Sequence, residues 1–341
     1  MSFHRWLAAT LSVAVLAFLP ATVPAAVSSD VLAAAKREGS VVWYTTLDDK
    51  TLAAISARFE QLYPDITLKT LVLSTRVMGP RLIAEQRGRN VVADLVEGDG
   101  FQINQLVSVG ILQSYRPSEA GKYLKGAVEA NGYYTSLYED ALVIAWNPAR
   151  VKADGLKPPG TLADFTKPEW KHHIGISAAS FSWLAGLQQT QSNVPDLMRK
   201  LAANNPFISA NHFNVMSQLE AGEFDATPTG YGHLADLDRK AGKPVEFTLL
   251  RPQLLSPIVV GLVANAPHPN AARVMLEWLL SRDGQQLIVQ VSGRTSARTD
   301  VANNPALFNA KLPYFVVPSP DAAEYNTIVK TFNDTFGINA P

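Results

Sequence analysis

The chain contains no cysteine. Disulfides, thiol nucleophiles, cysteine-ligated zinc and iron–sulfur clusters are therefore excluded. Neither sign of charge is in excess, since 30 Lys and Arg face 30 Asp and Glu. That balance gives no electrostatic footprint for nucleic acid or for an anionic membrane. Charged residues are scarce at 18%, against roughly a quarter in ordinary globular chains. The sequence lacks a G-x-x-x-x-G-K-[ST] loop, a G-x-S-x-G elbow and an H-E-x-x-H motif, so it carries none of the common marks of ATP hydrolysis, serine hydrolysis or zinc proteolysis. Long apolar runs are missing with one exception, Trp6 to Leu19, which is short of the ~20 residues that a bilayer span needs. His4 and Arg5 precede it, Pro20 breaks it, and Val23-Pro24-Ala25 places small residues before a cleavage point. This pattern predicts a secretory signal peptide over residues 1–25 and an exported chain. No cysteine follows the cleavage point, so lipid attachment there is excluded. Removing residues 1–25 takes away Arg5 and leaves a formal charge of −1.

What is present is a 341-residue chain that is 47% hydrophobic, long enough for roughly two domains. Ser29 to Arg37 reads as a helix ending at Gly39. Val41 to Thr45 reads as a buried strand, with Asp48 and Asp49 as candidate helix caps after it. Leu52, Ile55, Phe59 and Leu62 form one helical stripe, stopped by Pro64. Ile66 to Leu73 predicts a second strand, Pro80 to Arg87 a second helix and Val91 to Val96 a third strand. Alternation of this kind implies right-handed crossovers and a mostly parallel sheet. Further along, Ala141 to Trp146, Ile174 to Ile176, Phe224 to Thr227 and Pro257 to Ala264 read as strands. Thr161 to Phe165, Leu234 to Arg239 and Ala271 to Leu280 read as helices, the last capped by Asn270. The inference is two α/β lobes. Ligands of such sheets bind beyond the carboxyl ends of the strands. Thr45 to Asp48, Ser74 to Arg76, Gly98 to Gly100, Thr135 to Glu139, Ser177 to Ser182 and Thr229 to His233 should therefore enter one cleft.

Several stretches carry a resemblance. They are Glu38 to Thr46, Phe59 to Pro64, Ala93 to Val96, Lys167 to Lys171, Pro267 to Ala272, Leu279 to Gln285 and Gly293-Arg294-Thr295. Together they resemble a periplasmic solute-binding protein of an ABC importer, in the ferric-ion-binding branch of the type II binding proteins. The resemblance implies an α/β fold of two lobes, each with a central sheet, joined by a β-strand hinge around an interlobe cleft. Residues 26–138 plus 257–310 would form lobe one and 139–256 lobe two, with 311–341 packing back on them. It also implies a monomer without a cofactor, located in the periplasm, whose partners are a small-molecule ligand and a membrane permease with its ATPase.

Ferric relatives hold the metal with two adjacent tyrosines. The matching segment, Thr227 to His233, has only Tyr231. An iron site would draw on Asp48, Asp99, Tyr231 and His233, with oxygen donors that suit a hard cation. The favoured ligand is instead a small organic or phosphorylated anion. Arg76, Ser74 and Thr75 offer a guanidinium and hydroxyls beside a helix start, and Ser180 and Ser182 offer the same chemistry from the other lobe. Thr45, Thr46 and Asp99 line the cleft, with Tyr138, Trp183 and Tyr231 as flat apolar walls. Tyr133-Tyr134 reads as structural and His172-His173 as a surface pair. His233 and Asp236 share one helix face that is expected to meet solvent. A secreted hydrolase or lyase, or a ligand sensor on the same scaffold, stays open at this level.

Overall fold

The computed structural model describes residues 27–338, so the predicted signal peptide lies outside the described residues. The first elements are α1 (Ser29–Glu38), β1 (Ser40–Thr45), α2 (Asp49–Leu62), β2 (Thr67–Val72), α3 (Thr75–Arg87), β3 (Leu95–Asp99), α4 (Gly100–Ser108) and β4 (Leu112–Gln113). Then come β5 (Thr135–Trp146), α5 (Pro148–Ala153), β6 (Gly175–Ser177), α6 (Phe181–Thr190), α7 (Val194–Ala203), β7 (Phe207–Ser209) and α8 (His212–Ala221). The chain continues with β8 (Ala226–Tyr231), α9 (Gly232–Lys240), β9 (Glu246–Val263), α10 (Pro269–Leu280), α11 (Arg282–Ser292), β10 (Tyr314–Val316) and α12 (Ala322–Phe336).

The main sheet runs β2-β1-β3-β9-β5-β8, with β4 and β10 also paired to β9. β1 is parallel to β2 and β3, as the alternating pattern requires. β9 and β5 run antiparallel to each other along the whole of β5, from Thr135 opposite Val260 to Trp146 opposite Glu246. One end of β9 pairs with β3 and the far side of β5 pairs with β8. The two long strands therefore tie the β1–β3 side of the molecule to the β8 side. A separate two-stranded sheet, β6 with β7, lies beside β8. α12 closes the chain over this junction: Tyr325 meets Phe101 of α4 and Phe181 of α6 edge-on, both at 6.1 Å between ring centres.

Local chemistry explains most boundaries. Ser28 caps α1 and Gly39, at φ 69°, ends it in the left-handed region that favours glycine. The α2 stripe of Leu52, Ile55, Phe59 and Leu62 is buried as predicted, with Phe59 against Trp278 of α10 at 5.5 Å between ring centres. α3 starts at Thr75, not at Pro80, which lies inside the helix. Met78 and Leu82 are both buried on it, so the apolar face extends across the proline. β3 begins at Leu95, four residues later than predicted. Asp94 bonds both neighbouring strands through its backbone, to the Val42 carbonyl and from the Val263 N–H, and its side chain accepts from the Val42 N–H at 2.7 Å and from the His268 N–H. α10 is capped by His268, not by Asn270, because Pro269 takes the first helical position and Asn270 bonds Glu38 instead. Thr161 to Phe165 forms only a short 3-10 turn at Asp164–Thr166. The helices α4 to α8, α11 and α12 go beyond the sequence reading.

Candidate functional site

β1 and β3 deliver one wall. Thr45 Oγ1 donates to Glu97 Oε2 at 2.6 Å, the Thr46 N–H donates to the same oxygen at 2.7 Å, and the Tyr138 hydroxyl donates to Oε1 at 3.2 Å. The Thr46 hydroxyl joins at 3.1 Å. Burial pushes the Glu97 pKa up against these donors. Thr45, Thr46 and Tyr138 thus form the scaffold of the wall, since their polar groups are directed at a buried carboxylate. The Tyr138 ring carries the Arg294 guanidinium at 4.8 Å from its centre, within cation–π range. Arg294 also lies 3.4 Å from Asp48 Oδ2 and 3.7 Å from Asp140 Oδ1.

The register of the sheet explains this meeting. Asp99 of β3 and Tyr138 of β5 both pair with Ile258 of β9, and Asp140 pairs two residues along with Ser256. Side chains alternate across a strand, so Tyr138 and Asp140 share a face and Glu139 points to the other. Burial and the charge of Asp140 push the Asp99 carboxyl up to about 6. Burial also acts to raise Asp140, but His233 and Arg294 outweigh it and hold that carboxyl below its ordinary range. Glu139 accepts from Ser136 at 2.6 Å, and burial pushes its pKa up to about 8.

β8, next to β5 in the sheet, and the helix starts beside it carry the second group of candidate residues. The Tyr231 ring stacks on His212 at 3.9 Å and 11° and lies 5.8 Å from the His233 ring. Burial and the charges of Asp140 and Asp99 keep the Tyr231 phenol protonated far above its ordinary range. His212 donates from Nδ1 to the Thr229 carbonyl at 3.0 Å, and burial lowers its pKa to about 4. It is neutral at pH 7, leaving Nε2 as an acceptor with no hydrogen-bond partner among the described residues. His233 Nδ1 stands 3.1 Å from Asp140 Oδ1, a buried ion pair that helps hold the Asp140 carboxyl down. His233 and Asp236 are each 4% exposed, which corrects the expectation of a solvated helix face: α9 packs on β5 and β9, and Asp236 is held by Arg239 and Asn304.

The helix termini of the two walls differ. Asp48 caps α2 and Asp99 caps α4 through their carboxylates. Opposite them, α6 begins after Ser180 and α9 after Tyr231, and neither start has a side-chain cap. Ser180 is 0% exposed and its hydroxyl has no hydrogen-bond partner. Its neighbour Ala179 touches His212, so this helix start adjoins the stacked rings. Ser182 and Trp183 are buried within α6.

Other predicted residues lie apart. Ser74 precedes α3 without capping it, and Arg76 is exposed beside the groove between α3 and α4. Thr75 stands in the first helical position. Arg76 is thus within the helix, not ahead of it, and its charge acts on Tyr325 of α12. Tyr134 donates to Asn104 at 3.3 Å, a structural contact. His173 is not a plain surface residue, since its Nδ1 lies 3.0 Å from the buried Asp225 and 3.9 Å from Asp154. Arg294, His212 and Asp140 are the groups that sequence reasoning missed as site residues. Arg294 alone had a signal, because it stands in one of the stretches that carried the family resemblance.

These walls can now be set beside known proteins. A Salmonella typhi periplasmic protein assigned to 2-aminoethylphosphonate binding is 26% identical over 205 residues, covering 53% of this chain and 57% of that protein. The chain thus matches just over half the length of that relative. The fold matches the periplasmic binding protein AfuA of Actinobacillus pleuropneumoniae, solved with fructose-6-phosphate, at a TM-score of 0.74 and 20% identity, over 88% of this chain and 99% of that one. It also matches iron-bound HitA of Pseudomonas aeruginosa at 0.72 and 20% identity, over 86% and 99%. The architecture is therefore the two-lobed α/β fold of periplasmic binding proteins. The sequence matches the family signature across residues 54–313, and the chain belongs to the bacterial extracellular solute-binding proteins.

Proposed function

We propose that this chain captures a small organic or phosphorylated anion between two lobes and delivers it to the permease and ATPase of an ABC importer. Lobe one comprises residues 26–138 and 257–310, and lobe two residues 139–256. On this reading the protein is an exported periplasmic receptor with no chemistry of its own. The observation that carries the ligand class is the start of α6. Its first-turn N–H groups have no side-chain cap, and the Ser180 hydroxyl beside them is buried and unbonded. A helix N-terminus with a free hydroxyl suits an anion. The fructose-6-phosphate and phosphonate ligands of the two relatives agree with this choice.

The donor set favours iron less. Asp48 and Asp99 already cap helices, Arg294 stands 3.4 Å from Asp48, and the lone phenol is held protonated by burial. Two lobes that touch one ligand close because the open form offers only half the contacts. Moving the equilibrium from 1:99 to 99:1 in favour of closure needs about 5.5 kcal/mol of extra contact energy.

Native mass spectrometry of protein purified without denaturation tests the ligand class, and small-angle scattering before and after ligand removal tests closure. A bound small anion and a particle that contracts with it are expected. A ferric complex with a phenolate charge-transfer band, or a shape unchanged at saturation, would overturn the reading.

A further inference from the structure

The C-terminal helix carries an apolar stripe that joins α6 to α4. Tyr325, Ile328, Phe332 and Phe336 stand at i, i+3, i+7 and i+11 on α12, along one helical face. Ile328 and Phe332 are buried, and Phe332 meets Phe181 of α6 edge-on at 5.6 Å between ring centres. α12 also packs on α7. Tyr325 lies about two turns before Phe332, and its ring stands 6.1 Å from both Phe181 and Phe101, edge-on to each. Phe101 is the exception on α4. Ile103 and Leu106 pack with Met78 and Leu82 of α3 and Val96 of β3. Phe101 points about 140–160° away from them around the helix and joins the cluster of Trp183, Leu184, Ile328 and Phe332. The segment before α12 is tied to α4 as well, since Asn104 donates to the carbonyls of Ser319 at 3.2 Å and Pro320 at 2.7 Å.

We propose that Tyr325 is a positioning residue for ligand capture, the spacer that sets the gap between the start of α4 and the start of α6. This rests on the two-lobe capture reading above, which puts α4 in lobe one and α6 in lobe two. Each phenylalanine stands in the first turn of its helix. Asp99 caps α4 two residues before Phe101, and Ser180 directly precedes Phe181. A ring seated against both phenylalanines therefore acts through them on the two helix starts that hold candidate site residues. Edge-on contact is a favoured geometry for aromatic pairs, so the ring resists sliding of either helix past it. The charges of Asp99 and Arg76 both act on the Tyr325 hydroxyl, which puts it within reach of α3 and α4. The spacing depends on the ring, so phenylalanine can replace this tyrosine and alanine cannot.

The chain has no cysteine, so pairs of introduced cysteines can be spin-labelled selectively in ligand-stripped mature protein. Val109→Cys reports on the end of α4 and Leu237→Cys on α9 of lobe two, and both side chains are exposed. Val72→Cys with Val109→Cys is the control pair within lobe one. In double electron–electron resonance, Tyr325→Ala should shift or broaden the Val109–Leu237 distance by about 2 Å or more and leave the control pair unchanged. Tyr325→Phe should keep the wild-type distribution. Should Tyr325→Ala fail to fold, Tyr325→Leu replaces it, because leucine keeps an apolar side chain and loses the edge-on ring. An interlobe distribution identical to wild type in the ring-less variant would overturn the spacer. So would a Tyr325→Phe protein that behaves like it, or a control pair that moves as far as the interlobe pair. Each of these results leaves the capture reading standing, since the bound ligand and the ligand-dependent contraction decide that separately.

Discussion

Glu139 gives a prediction that can be worked from its surroundings. It lies in the middle of β5, is 0% exposed, and has one oxygen bonded to Ser136 at 2.6 Å and the other to nothing. The carboxyl ionises near pH 4.5 in the unfolded chain, and burial pushes this to about 8 in the fold. Between those values the native state holds a proton that the unfolded state has released. Stability must therefore fall as pH rises through this window. At about 1.4 kcal/mol per pH unit the loss is about 3 kcal/mol at pH 7 and about 5 kcal/mol above pH 8, and it vanishes near pH 4. Glu139→Gln keeps the shape and cannot ionise. An orphaned amide donor at the unbonded oxygen's position would cost about 1–3 kcal/mol at every pH, which shifts the whole curve and leaves its slope alone. Urea unfolding followed by tryptophan fluorescence from pH 4 to 9 is the assay. The gap between mutant and wild type should open by about 3 kcal/mol in the mutant's favour between pH 4 and pH 7. Parallel curves, within about 0.5 kcal/mol of each other after a constant offset, would refute the reasoning, because they would mean that Glu139 is ionised or hydrated in the fold.

Three further outcomes are expected. Arg294→Ala leaves Asp140 without its buried counter-charge and uncovers the Tyr138 ring; it should cost about 3 kcal/mol or more in chemical denaturation and abolish ligand binding, whereas Arg294→Lys should recover stability better than affinity. Ser180→Ala removes a buried unbonded hydroxyl and should leave the ligand-free protein at least as stable as wild type in chemical denaturation, while weakening the copurified ligand by about tenfold or more in calorimetry. Gly175→Ala places a Cβ into the Phe224 ring, and Phe224 is fully enclosed; overpacking of this kind should cost about 1–3 kcal/mol, read as a lowered denaturation midpoint.

The fold was legible wherever one physical effect dominated. α2 is an uninterrupted apolar stripe with a carboxylate cap at one end and Pro64 beyond the other, and each signal points to the same helix. The boundaries failed where side chains replaced the backbone as partners. Glu38 captures the residue expected to cap α10. Of the candidate residues named from the sequence, Asp99 and Tyr231 end strands and Ser180 precedes a helix start, as the rule that ligands lie beyond strand ends expects, whereas Tyr138 stands within β5. Arg76 obeys the same rule yet faces outward, because helical rotation over a single turn decides its direction and a sequence does not print that phase. Asp140 was invisible for another reason. It falls between the Thr135–Glu139 segment expected to enter the cleft and the strand read from Ala141, and only its alignment on Ser256 of β9, set by a register that no local pattern encodes, puts it on the face where its charge acts on Asp99.

The same register ties stability to function. Buried groups are normally satisfied, yet Asp140, His233, His212 and Ser180 each present an unbonded polar atom around one cleft, and Asp99 shares that space with a second acid. Such groups destabilise the empty protein. A ligand that supplies the missing partners removes these penalties only when both walls reach it at once, because Ser180 belongs to one wall and Asp99 to the other. On the capture proposed above, the unbonded atoms would couple binding to closure: a molecule that satisfies one group alone leaves the other group's penalty in place.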